Sequence, residues 1–135
     1  MADIIYNNVR RKGLSGQINF STDTFKVMLM GTGYTPSITH SVYADVSSYE
    51  ITGTGYTAGG VTLTGVSLSE SNGVCTWTFS SPSWASCTLS GVRYAVIYDA
   101  TASQLIKCID FGMALNVATG PFTINVPAAG VFQWS

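Results

Sequence analysis

Val61-Thr62-Leu63-Thr64-Gly65-Val66-Ser67-Leu68 alternates apolar and polar residues, with Val61, Leu63 and Leu68 as its apolar landmarks. A period of two places alternate side chains on opposite faces, so this stretch predicts a strand with one face buried. Ser71-Asn72-Gly73 follows as a turn signal, and residues 74–79 read as the returning strand. Upstream, Thr24-Phe25-Lys26-Val27-Met28-Leu29-Met30 is a second strand, with Phe25, Val27 and Leu29 on one face. Gly31-Thr32-Gly33-Tyr34-Thr35-Pro36 breaks it, and an irregular stretch runs on to Gly60. Within that stretch, residues 42–47 suggest a helical turn and residues 49–51 an extended piece.

Downstream, residues 80–85 read as a connection and Cys87-Thr88-Leu89 as a short strand. Residues 92–98 and 105–111 then pair across an Ala100-Thr101-Ala102-Ser103 turn, and residues 122–126 and 131–134 close the chain. That makes about eight or nine short strands with turn signals roughly every 8–12 residues, the spacing of a sandwich or barrel. Strands do not alternate with helices, so a parallel βαβ fold is excluded. The expected fold is all-β: a single-domain antiparallel β-sandwich with jelly-roll topology, another two-sheet sandwich being the alternative. Residues 1–16 are set apart as a short helix or arm, capped by Asp3, with Ile5 and Val9 on one face and Arg10, Arg11 and Lys12 in the last turn. Residues 17–135 form the sandwich. The expected core is Phe25, Val27, Leu29, Val61, Leu63, Trp77, Phe79, Val96, Ile109, Phe111, Ile124 and Phe132.

Composition narrows the chemistry. The chain has 135 residues, 46% hydrophobic and only 10% charged; a typical charged share is about 25%, so the surface is polar through Ser, Thr, Asn and Gly. The net charge of −1 creates no global field for nucleic acid or anionic membrane. No apolar run reaches the length of a membrane-spanning helix, and the start lacks the basic and apolar regions of a secretory signal. Cys75, Cys87 and Cys108 are odd in number and sit in strand-like contexts, which reads as free, partly buried thiols made in a reducing cytoplasm. A Cys75–Cys87 bridge is the alternative.

Catalytic patterns are weak. His40 is the single histidine, without a Gly-x-Ser-x-Gly elbow or zinc-ligand spacing, and reads as a loop hydrogen-bonding residue. The seven acids are scattered, and Asp99 and Asp110 read as turn or strand-end residues. Gly53-Thr54-Gly55-Tyr56-Thr57-Ala58-Gly59-Gly60 lacks the Gly-Lys-Ser/Thr end of a phosphate loop, so its glycines point to a tight, positive-φ loop with Tyr56 displayed in it or anchored beneath it. Trp77, Phe79, Phe132 and Trp134 read as core. Trp84 lies in a connection, where it could also serve a carbohydrate platform. No catalytic residue, cofactor or metal is assigned.

The glycine loop also carries a resemblance. The chain resembles a family of small tailed-bacteriophage virion structural proteins through a series of segments in the same order. Tyr6-Asn7-Asn8-Val9-Arg10-Arg11-Lys12 leads into Phe25-Lys26-Val27-Met28-Leu29-Met30. Tyr34-Thr35-Pro36, His40, Asp45-Val46 and Tyr49-Glu50 precede the loop. Tyr94-Ala95-Val96-Ile97-Tyr98-Asp99, Cys108-Ile109-Asp110-Phe111-Gly112, Gly120-Pro121-Phe122-Thr123-Ile124 and Gly130-Val131-Phe132 follow it. The resemblance implies a non-enzymatic virion protein of the capsid-decoration or cement type. Its partners would be the major capsid protein and itself as a homo-oligomer, with neither nucleic acid nor membrane bound directly. It would be made in the bacterial host cytoplasm and carried on the capsid surface. The alternatives are a tail or head–tail-junction component, a carbohydrate-binding host-adhesion module, or a hydrolase. The residues expected to touch a partner are Arg10, Arg11, Lys12, Tyr34, Tyr49, Tyr56 and Trp84: a basic cluster that can steer docking and tyrosines of the kind favoured at interfaces.

Overall fold

A computed structural model describes residues 4–125 and 132–134, apart from the side chains of Arg10 and of residues 132–134. Its secondary structure is 50% strand and 10% helix, and every strand pair is antiparallel. Strands β1 (Ile4–Ile5), β2 (Phe25–Gly31), β3 (Val61–Thr62), β6 (Ser83–Asp99) and β7 (Gln104–Thr123) form one sheet, in the order β1-β7-β6-β2-β3. Strands β4 (Ser67–Ser71), β5 (Val74–Thr78) and β8 (Phe132–Trp134) form the other, in the order β4-β5-β8. The all-β, sandwich-like expectation holds. The jelly roll is not established by this order, because neighbours β6 and β7 are one long hairpin rather than strands of two interleaved Greek keys.

The decisive alternating stretch is not one strand. Val61–Thr62 pairs with Lys26 and Val27 of β2, whereas Ser67–Ser71 pairs with β5 in the other sheet. Gly65, at φ +64°, lies between them, and a side chain there would meet Ser80. The chain thus changes sheets at a residue whose backbone favours glycine. Leu63 is buried and Val61 half-buried, but Leu68 is 48% exposed. The Asn72-Gly73 turn is as expected: both residues have positive φ, and Ser71 pairs with Val74 across a two-residue loop.

Downstream, the expected short strands fuse. Residues 83–99 and 104–123 are two continuous strands that hold registry from Asp99↔Gln104 to Ser83↔Thr123 through several bulges. The bulges explain the sequence reading. Gly91 and Gly112 have positive φ and locally break the alternation, without ending the ladder. At the largest irregularity, Arg93 donates through Nε to Asp110 Oδ1 at 2.9 Å, and Gly112 N–H donates to the same oxygen at 2.8 Å.

The two sheets meet at Trp77. Its ring lies 4.9 Å from Phe25 of β2, 5.3 Å from Phe20 and 5.4 Å from Phe79, mostly edge to face, and its indole N–H donates to the Phe20 carbonyl at 3.1 Å. Edge-to-face rings suit the aromatic quadrupole, and the polar tip finds a partner inside. Phe25, Val27, Leu29, Leu63, Trp77, Phe79, Val96 and Ile124 of the expected core are buried, whereas Val61, Ile109 and Phe111 are only half-buried. The Phe132 side chain lies outside the described residues.

The N-terminal segment is not a separate arm. Ile4 and Ile5 pair with Cys108 and Lys107 of β7, so Ile5 is in a strand and not on a helical face. Tyr6 and Val9 are buried. Helix α1 (Asn8–Leu14) starts at Asn7; the expected cap, Asp3, lies outside the described residues. Arg11 and Lys12 occupy the last turn as expected. Gly16, at φ +84°, ends the helix, with Gln17 N–H bonded to Lys12 O and Gly16 N–H to Gly13 O, a Schellman arrangement.

At the β6–β7 turn, Asp99 is fully buried and its Oδ1 accepts the Thr101 and Ala102 amides at 2.9 and 3.1 Å. Burial first, then the neighbouring Asp23 carboxyl, pushes the Asp99 carboxyl up to about 7. The unfolded chain releases that proton near the ordinary aspartate value of about 3.9. Between these values the folded state binds more protons than the unfolded one, so this group lowers stability as pH rises. Urea unfolding of the wild type should therefore show a lower midpoint at pH 8 than at pH 5. Asp99→Asn, which keeps the acceptor oxygen without the charge, should remove most of that difference. An unchanged difference would mean that Asp99 is ionised in the fold.

Candidate functional site

Residues 50–60 are the best-organised irregular segment, and they lie along the outer edge of β2. β3 covers that edge only at Lys26 and Val27. Beyond it, the Leu29 N–H donates to the Tyr56 hydroxyl at 3.0 Å, the Leu29 carbonyl accepts from Ile51 N–H at 3.0 Å, and Met30 bridges to Glu50. The Tyr56 hydroxyl in turn donates a short hydrogen bond to Glu50 Oε2. Gly59 N–H donates to that oxygen at 2.7 Å, and the Tyr43 hydroxyl donates to Oε1 at 3.2 Å. Tyr98 of β6 donates to the Gly59 carbonyl at 2.6 Å. One half-buried carboxylate thus gathers three donors, and charge-assisted bonds of this kind are stronger than neutral ones.

The glycines follow from that closeness. A Cβ on Gly60 would collide with the Val27 carbonyl, and one on Gly55 with the Ser86 carbonyl; both residues also have positive φ. Farther along, Thr54 bridges to Thr88, whose amide donates to the Thr54 carbonyl at 2.9 Å, so the loop also lines the outer edge of β6. Burial, and then the hydrogen bond to Glu50, hold the Tyr56 hydroxyl protonated far above the ordinary tyrosine range. Burial pushes Tyr98 up to about 12, and burial and then the Glu50 charge raise Tyr43. These hydroxyls are fixed donors, and the cluster fastens a loop.

The residues named from sequence for partner contact take different places. Tyr34 is buried at 1% exposure, held by Tyr6 Oη at 2.7 Å and His40 Nδ1 at 3.1 Å; Trp84 is buried too, at 7%. Neither is displayed, because both rings fill the domain's own interior. Tyr56 is half-buried and anchored underneath its loop. Tyr49, at 45%, is exposed against Tyr34, with ring centroids 5.6 Å apart, while Tyr56 stacks on Trp84 at 6.0 Å. Arg11 is exposed and Lys12 half-buried on α1; the Arg10 side chain lies outside the described residues. His40 makes the loop hydrogen bond expected of it. None of Cys75, Cys87 and Cys108 is in a disulfide, so the Cys75–Cys87 bridge is not formed. Among the described residues, no three His, Cys, Asp or Glu side chains converge as a metal cluster.

Sequence reasoning did not give Glu50 or Tyr98 a role. The available signal was their presence, with Tyr56, among the quoted segments of the resemblance. No protein-family model, curated protein or solved structure matches this chain.

Tyr56→Phe should strand the Leu29 amide and remove one donor from Glu50. Leaving a buried donor unsatisfied costs about 1–3 kcal/mol. Urea unfolding should show a loss in that range, while Tyr49→Phe at an exposed ring should change stability by less than about 0.5 kcal/mol. Equal effects of the two substitutions would remove the anchoring role from Tyr56.

Proposed function

We propose that this chain is a non-enzymatic structural subunit of a tailed-bacteriophage particle. It decorates or cements the capsid by binding the major capsid protein, is made in the host cytoplasm and is carried on the capsid surface. The observation that carries this reading is where the residues of the resemblance fall. Tyr34, His40, Glu50, Tyr56, Gly59, Gly60 and Tyr98 all hold the fold's own backbone or side chains in place. Such residues keep a shape, which suits a protein whose work is to fit between neighbours. The Ser- and Thr-rich surface supports the same reading. Strand β4, Ser67–Ser71, is exposed along its whole length and carries one charge, Glu70. A surface of few charges has little ionic hydration to lose when a partner covers it. The carbohydrate-platform alternative is weakened because Trp77 and Trp84 are buried.

The test is fractionation. Purified particles are disassembled into heads and tails, and each fraction is quantified by mass spectrometry. The chain should accompany the heads in a fixed ratio to the major capsid protein. Recovery with the tails would move it to the tail or junction, and its absence from particles would end the virion reading.

A further inference from the structure

Strand β7 has two different outer edges. Along its first part, Val42 bridges to Gln104, Leu105 N–H donates to Ser41 O, Tyr6 N–H donates to Ile106 O, and β1 pairs with Lys107 and Cys108. Beyond Asp110, no described strand pairs with that edge. Gly112 and Thr119, both at positive φ, bound residues 113–118, which are strand between two bulges, with Leu115 and Val117 paired to Val92 and Leu89 of β6. Met113 is 62% exposed, Ala114, Asn116 and Ala118 are exposed, and Leu115 and Val117 are half-buried. From Phe111 to the end of the chain there is no Asp, Glu, Lys, Arg or His.

Such an edge is a template for another strand, and proteins that avoid pairing place charges or proline on it. Residues 113–118 carry neither. We propose that this edge docks a second copy of this chain, strand to strand and antiparallel about a two-fold axis. The occupant follows from electrostatics and symmetry. Two identical uncharged edges face each other without repulsion, and a two-fold contact presents the same surface on both partners. Centred on Asn116, the pairing sets Ala114 of one copy opposite Ala118 of the other, small residues that let the backbones approach. The other long exposed edge, β4, carries Glu70. Six residues a side make a contact well below the standard interface size, so the pair is weak in solution and gains strength when both copies are also held on a common lattice. The inference deepens the shell-decoration reading by supplying its self-contact, and rests on that reading only for its place in the particle.

Sedimentation equilibrium from about 10 μM to 1 mM should show a reversible monomer–dimer equilibrium with a Kd weaker than about 1 μM. A114K/A118K places lysines opposite lysines without touching the half-buried face, and should stay monomeric with an unchanged circular dichroism spectrum. In the wild type, amide hydrogen exchange of residues 113–118 should slow as concentration rises, a readout that needs no variant. A wild type that is monomeric throughout, or a dimer whose 113–118 amides exchange independently of concentration, would overturn the proposal. So would a monomer whose residues 113–118 are protected only on capsids, since the occupant would then be a capsid strand; the virion reading would survive that outcome.

Discussion

A sheet edge buried or half-buried under loops must give each backbone N–H and C=O a partner, and most of the irregular structure here answers that requirement. The hairpin of β6 and β7 is long, and its companions β1, β2 and β3 are short. Pairing therefore cannot come from neighbouring strands alone. Leu29 of β2 is completed by a tyrosine hydroxyl and by the Ile51 amide, Thr88 of β6 by Thr54, and Leu105 and Ile106 of β7 by Ser41 and Tyr6. An unpaired buried amide costs on the scale of a lost hydrogen bond, so these loops are as constrained as strands.

Glu50 shows how a polar group secures that arrangement. Its carboxylate accepts from two tyrosine hydroxyls and one amide and so positions the loop as a unit. The aromatic cluster around Trp77 does the complementary work between sheets, where contact is apolar and non-directional. Dispersion and burial bring the sheets together, and hydrogen bonds decide which loop lies on which edge.

The sequence made the strands visible where alternation was local. The β2 pattern, the Asn72-Gly73 hairpin and the Ala100–Ser103 turn depend on neighbours a few residues away, and each is found where expected. What stayed hidden depends on distant partners. Gly65 looks like a dent in one strand, but the chain changes sheets there; Gly91 and Gly112 look like strand ends, but the ladder continues through them. The same limit governs the site. A tyrosine count cannot separate Tyr49, which is exposed, from Tyr34, which is buried, because the difference is set by Tyr6 and Tyr94 packed from elsewhere in the chain. The glycine loop was legible as a tight turn, but whether Tyr56 is displayed in it or anchored beneath it was not, because that depends on Glu50 and Leu29. Its anchor, Glu50, has no local pattern of its own.

Native-state hydrogen exchange, followed residue by residue, distinguishes a loop of residues 50–60 that is a working part of the main sheet from one that only rests on it. The amides of Leu29 and Gly59 face Tyr56 and Glu50, not another strand. If those side chains close the edge, both amides exchange as slowly as those of the β2–β6 ladder, through opening of the whole domain. If Leu29 and Gly59 instead exchange as fast as Gly73 at the exposed hairpin tip, the loop merely rests on the sheet and the account is wrong.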